Sequence, residues 1–201
     1  MNLANTLQVS NLNAGSKCRA CDIPVKGYSA DDTQKIRDII HKIPNKFLSN
    51  VKMITNEDLY PKHGRFVADP KVVLFDDRVF KNKQKWGNGT NKMTHAEMTL
   101  VHEIGHSVFE SLSGPQQTAW MKLSGWQEGP GDDQSPAYKE KRPGWPRIKF
   151  TETHSKDAQF VRHYSEKGHG EDFADCFSWY INGHQQDVPE AKRNFIAGLL
   201  K

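Results

Sequence analysis

The stretch "TLVHEIGHSVFE", residues 99–110, sets two histidines four positions apart with a glutamate directly after the first. On a helix, residues four apart lie one turn apart on one face, so His102 and His106 can offer imidazole nitrogens to one zinc ion at about 2.0–2.1 Å. Glu103 is rotated by about 100° around the axis. Its carboxylate then stands beside the ion, where it can take a proton from an activated water. In a chain with this many His and Glu, an H-E-x-x-H arises by chance at roughly 2 %, so the flanks have to agree with rigid helical presentation. Thr94 and Glu97 form a T-x-x-E capping box, and Met98, Val101, Gly105, Val108 and Leu112 recur at helical spacing. Gly114-Pro115 ends the helix, and the proline can open another short one through "QQTAWMKL".

A hydrolytic zinc site needs a third protein ligand and an open position for water. Extending the motif by six residues reaches Leu112, with Phe109 where a glycine would be needed, so a third motif histidine is excluded. The best candidate lies in "GEDFADCFSWY", where Phe173, Cys176, Phe177 and Tyr180 form one apolar stripe and Glu171, Ala174, Asp175 and Ser178 another. Two carboxylates one turn apart, beside the small Ala174, suit close approach to another helix, and Gly105 offers the matching gap. Glu171 would complete the ligand set, and Asp175 would accept an N–H from the back of a zinc-binding histidine. His163, His169 and Asp175 itself stay open as rival ligands, as does a solvated acidic helix start.

The remainder of the chain reads as an α+β protein. Residues 1–28 are polar and read as an arm with little regular structure, leaving 29–201 as a single domain. The arm holds Cys18 and Cys21 in "CRAC", half of a zinc knuckle or a redox pair, but no second C-x-x-C follows. "SADDTQKIRDIIHKIPNKF" predicts a helix capped by Ser29 or Asp31, with Ile36, Ile39, Ile40 and Ile43 as its stripe and Pro44 at its end. "NVKMIT", "GRFVAD" and "KVVLF" predict a small sheet, and "KNKQKWGNGTNK" a polar loop. Residues 126–150 are loop-rich, and Trp126, Tyr138 and Trp145 can line or cover a cleft. The last helix starts around Asp187–Glu190 and is expected to bury Phe195 and Leu199, and Cys176 reads as a buried inert thiol.

With these residues placed, the sequence resembles the gluzincin metallopeptidases of the anthrax lethal factor type, which include bacterial Pro-Pro endopeptidases. The resemblance rests on "HEIGH" at 102–106 and "YSEKGHGEDFADCF" at 164–177, which match H-E-x-G-H, Tyr-x6-Glu and E-x-F-A-[ED]. It covers roughly the second half of the chain, with a weaker match of helix-then-sheet order before it. It implies a zincin-like fold in which His102, His106 and Glu171 bind zinc and Glu103 is the general base. It also implies that Tyr164 points into the site and that Asp175 supports a histidine from behind. Asp175 departs from the Glu common at that position, and the proline-rich 126–150 segment is a second departure.

The expected function is a zinc-dependent endopeptidase acting on a protein or peptide substrate, with a bacterial toxin or effector role implied by the resemblance alone. Tyr164 can donate its O–H to a tetrahedral oxyanion, or simply pack. "KVVLF", 71–75, reads either as the edge strand that a substrate joins or as an interior strand. The net charge of +4 comes from well-mixed residues, with no basic run interleaved with aromatics, so nucleic acid is not an expected partner. No apolar run reaches membrane-spanning length, and a monomer is expected. The start carries no signal peptide, which points to the cytoplasm, to a route that reads no such signal, or to a piece of a larger chain. Two alternatives remain: a non-catalytic module that uses the same zinc for stability, and a partner- or nucleic-acid-binding protein acting through the C-x-x-C arm and basic loops.

Overall fold

The computed structural model describes residues 18–90, 92–127 and 153–201. They form an α+β structure arranged around one central helix. A short helix α1 (Arg19–Asp22) leads into β1 (Val25–Lys26) and α2 (Ala30–Ile40). From Cys18 onward the chain is therefore ordered, with Ala20 and Ile23 buried, which differs from the irregular arm expected over 1–28. Residues 1–17 lie outside the described residues. Ser29 caps α2 by accepting the Asp32 N–H at 3.1 Å, and Ile36, Ile39, Ile40 and Ile43 are all buried, as their spacing predicts.

Strands β2 (Met53–Thr55), β3 (Gly64–Val67) and β4 (Val72–Phe75) join β1 in a four-stranded sheet of order β1-β2-β4-β3. Strands β1, β2 and β4 are mutually parallel, while β3 runs antiparallel to β4 and forms the sheet edge. The 81–92 segment is more ordered than a polar loop, because β5 (Lys85–Trp86) pairs with β6 (Met93–Thr94) as a ribbon. A second ribbon joins β7 (Trp126–Gln127) to β8 (Thr153–His154). Tyr138 and Trp145, assigned above to the cleft, lie outside the described residues.

The motif helix α3 spans His95–Ser111, and both bonds of its capping box form: Glu97 N–H to Thr94 Oγ1 at 3.1 Å and Thr94 N–H to Glu97 Oε2 at 2.6 Å. Leu112 follows as its C-cap, and α4 (Gly114–Leu123) starts directly after, with proline in its first turn. Unlike an amphipathic surface helix, α3 is buried around most of its circumference. The edge strand β3, the α2 region and α5 (His169–Ile181) all pack on it. Both stripes of α5 are buried except for the partly exposed Glu171 and Tyr180 near its ends. Phe173 and Phe177 enter the aromatic core, while Ala174, Asp175 and Ser178 face α3, where the Ser178 hydroxyl donates to the Met98 carbonyl at 2.9 Å. In α6 (Glu190–Leu199) the fully buried residues are Lys192 and Ile196. Phe195 and Leu199, expected there, are half-buried and pack against the core, Phe195 on Trp120 with centroids 5.5 Å apart, while the Lys192 ammonium turns inward to Asp172 at 2.7 Å.

The separation of α3 and α5 is set at Gly105. A Cβ there would lie 2.8 Å from the Ala174 Cα and 3.2 Å from its carbonyl oxygen. Neither is a flexible side-chain end, so the helices themselves would have to part. Gly105→Ala gains about 1 kcal/mol of helix propensity but meets an overpacking cost of about 1–3 kcal/mol. The expected outcome is a net loss of stability that lowers the thermal midpoint by about 2–4 °C per kcal/mol. Calorimetry of the metal-free protein checks this, and an unchanged or raised midpoint would show that the crossing is looser than the contact distances imply.

Candidate metal centre

Three side chains from the two crossing helices converge at one point. His102 Nε2 lies 3.0 Å and His106 Nε2 3.3 Å from Glu171 Oε2, and the two imidazole nitrogens are 3.2 Å apart. These are the helix turns selected by the motif and by the Gly105–Ala174 contact. Of the rival ligands, His163 is exposed and paired with Glu166 at 3.2 Å, and His169 packs with its ring tilted against Phe109, centroids 5.2 Å apart. Asp175 sits behind His102 rather than among the converging atoms.

The donor set fits a zinc-sized dication. Bonds of about 2.0–2.1 Å in a tetrahedron place ligand atoms about 3.3 Å apart, which the three observed separations approach. Glu171 Oε2 is buried and finds no hydrogen bond of acceptable geometry among the described residues, although both imidazoles are near it. Asp175 Oδ1 sits 2.7 Å from His102 Nδ1, which holds a ring N–H on that side and directs Nε2 toward Glu171 and His106. Side-chain exposure is 6 % at His102 but 24 % at His106 and 29 % at Glu171. The cluster is thus closed behind and open in front, onto a cavity of about 590 Å³ that Glu103 and Tyr164 also line.

Asp175 is itself held by groups that the sequence reading missed. Arg162 donates from Nε at 2.8 Å and from Nη2 at 2.5 Å, and the Ser165 hydroxyl donates at 2.7 Å. The Arg162 guanidinium lies over the rings of Tyr164, Trp86 and Trp179 at 4.7–5.8 Å. Its one sequence signal is indirect: a buried carboxylate one turn from a ligand needs a cation, and no helical period places that cation. Burial opposes ionisation of Asp175, but His102 and Arg162 hold its carboxyl below the usual carboxylate range. Burial likewise opposes ionisation of Glu171, yet its contacts with His102 and His106 keep its carboxyl well below that range. Burial pulls the His102 imidazolium down, but Asp175, Glu171 and Glu103 outweigh this and push its pKa up to about 10. The anionic field that retains a proton there also attracts a metal dication.

Glu103 is oriented by the sheet. Phe66 N–H donates to its Oε2 at 2.8 Å. The Asp76 N–H to His63 C=O bond sets the phase of β3, so Arg65 and Val67 direct main-chain groups at β4 while Gly64 and Phe66 direct theirs outward. A Cβ at Gly64 would lie 2.7 Å from the Glu103 Cγ, so glycine permits this approach. "KVVLF" is therefore interior, and the edge beside the site is β3, because β4 pairs on both sides. Tyr164 packs edge-on against His102 with centroids 5.9 Å apart. Burial, and beyond it Glu171 and Glu103, push its phenol well above the usual range, so it stays protonated as a donor. Trp126 does not line the cavity. It is buried and donates Nε1–H to Asp172 at 3.1 Å.

No family model, curated protein or solved structure matches the chain.

Two outcomes follow for metal binding. Asp175→Ala removes the partner that orients His102 and is expected to weaken zinc affinity by about 10–100-fold. In the native protein a metal must displace the His102 proton. Affinity is therefore expected to rise with pH below about 10, by up to about tenfold per pH unit for each proton displaced. Titration calorimetry in buffers of different ionisation enthalpy counts those protons, and a pH-independent affinity would contradict the assignment.

Proposed function

We propose that the chain is a zinc-dependent endopeptidase. The observation that carries this reading is the approach of His102 Nε2, His106 Nε2 and Glu171 Oε2 to within 3.0–3.3 Å of one another, beside the Glu103 carboxylate and open to a cavity. His102, His106 and Glu171 would hold a zinc ion, which when bound would supply Lewis acidity that lowers the pKa of a water toward about 7 and polarises a carbonyl. Glu103, anchored by Phe66 N–H, accepts the proton of the attacking water and later delivers it to the leaving amine. Tyr164, protonated and on the cavity wall, is the donor for the developing oxyanion. Arg162 and Asp175 keep His102 in the tautomer that leaves Nε2 available.

An extended peptide is the substrate form that suits the cavity rim. The outward main-chain groups of Gly64 and the carbonyl of Phe66 lie on a sheet edge, the Phe66 N–H being taken by Glu103, and strand addition there reads backbone rather than side chain.

Metal analysis combined with peptide-library cleavage tests this reading, comparing the native chain with Glu103→Gln. Native protein is expected to cleave. Glu103→Gln is expected to retain zinc and lose about 10²–10⁴-fold in rate, the usual worth of a positioned general base. Stoichiometric zinc without cleavage of any peptide by the native chain would leave the stabilising-zinc reading in its place. Tyr164→Phe is expected to lower kcat by about 10²–10³-fold with zinc content unchanged. An unchanged kcat would reduce Tyr164 to packing.

A further inference from the structure

A second group of soft ligands lies away from the cavity, where α1 meets the end of α2. Cys18 is the residue before α1 and Cys21 lies within it, three positions later, so a single helical turn brings both thiols to one side. His41, the C-cap of α2, faces them: its Nε2 is 3.8 Å from Cys18 Sγ and 3.6 Å from Cys21 Sγ. All three donor atoms lie within 4.8 Å of one another. In a tetrahedron with Zn–S of about 2.3 Å and Zn–N of about 2.0–2.1 Å, a sulfur and a nitrogen stand about 3.6 Å apart.

We infer that Cys18, Cys21 and His41 form a second zinc site, a clip that fastens α1 to the C-terminus of α2. The turn carrying the thiols is held on several sides. Ala20 and Ile23 are buried in the core, and the Arg37 guanidinium donates to the Ala20 carbonyl at 2.6 Å. Arg19 donates to the Val51 carbonyl at 3.0 Å and, from its main-chain N–H, to Asn45 Oδ1 at 3.2 Å. The thiols are thus presented by a fixed element and are not carried on a loop. The negative end of the α2 dipole lies beside His41 and favours a cation there. Two thiolates with one imidazole select zinc over the hard cations. On binding, each thiol gives up its proton to solvent as its sulfur–zinc bond forms, and the imidazole binds as the neutral ring. The three residues are exposed, and among the described residues none occupies the fourth tetrahedral position. The role assigned is structural, and it is separate from the centre on α3 and α5.

The test uses the full chain, kept reduced and loaded with Zn²⁺ or Co²⁺. Native protein is expected to hold two ions, one for each cluster, and its Co²⁺ form to show the near-ultraviolet sulfur-to-cobalt charge-transfer band. The histidine–glutamate centre has no sulfur and cannot give that band. Cys21→Ser and His41→Ala are each expected to drop the stoichiometry to one ion, and Cys21→Ser to abolish the band. His102→Ala is expected to lose the other ion and keep the band. Both clip substitutions are at exposed positions, and far-ultraviolet circular dichroism verifies that the fold is retained. A native chain holding one ion with no sulfur band would overturn the inference, as would a second ion and an intact band in Cys21→Ser. So would reduced thiols that take up no Co²⁺ and reoxidise to a Cys18–Cys21 disulfide.

Discussion

The distance between α3 and α5 is set by one missing side chain, at Gly105, lying on the backbone of Ala174. At that separation each helix presents two successive turns to the other. His102 and His106 stand on α3, and Glu171 and Asp175 on α5. The register lets Glu171 reach both imidazoles while Asp175 reaches the back of His102. A wider crossing would pull the carboxylate of Glu171, the third candidate donor, away from the imidazoles. The site is therefore a property of the helix crossing more than of either helix.

Close approach concentrates negative charge, and the surrounding structure answers with specific cations. Asp175 is fully buried against Arg162, which is itself enclosed by three aromatic rings. Three residues earlier, around the helix, the equally buried Asp172 meets Lys192 and Trp126. Burial disfavours the charged form of both acids, and it prevails at Asp172, whose pKa is raised, but not at Asp175. The difference follows from the partners: Asp175 has a guanidinium fork and an imidazole, whereas Asp172 has a single ammonium. Cys176, directly after Asp175 in sequence, is buried with its thiol pushed well above the usual range, which makes it an inert packing residue.

The sheet contributes through its edge. Strand β3 places Gly64 and Phe66 against the motif helix, and the Phe66 N–H fixes the carboxylate that the α3 geometry alone would leave mobile. The three converging candidate ligands come from helices and the neighbouring Glu103 carboxylate is oriented by a strand, so the sheet and the helical half meet at this point. Four residues of β3 suffice, because the outward main-chain groups alternate along the strand and only two of them face the site.

Local pattern determined much of this protein. The capping box, the isoleucine stripe, the boundaries of α3 and the spacing of His102, Glu103 and His106 depend on residues within a few turns of one another, where helical periodicity fixes relative position. Glu171 and Asp175 were legible as well, since a second helix with a small residue between two acids has a natural partner in a helix with a glycine between two histidines. The tertiary structure decided what periodicity cannot carry. "KVVLF" is interior because strand order depends on which partners arrive from elsewhere in the chain. Arg162 and Ser165 serve Asp175 from a short turn and 3-10 helix whose placement no period extrapolates, and Lys192 takes a buried position on α6 because a distant buried acid holds its charge. His41 meets Cys18 and Cys21 only because α2 folds back along α1, across about twenty residues that contain no spacing rule linking a helix end to a preceding turn.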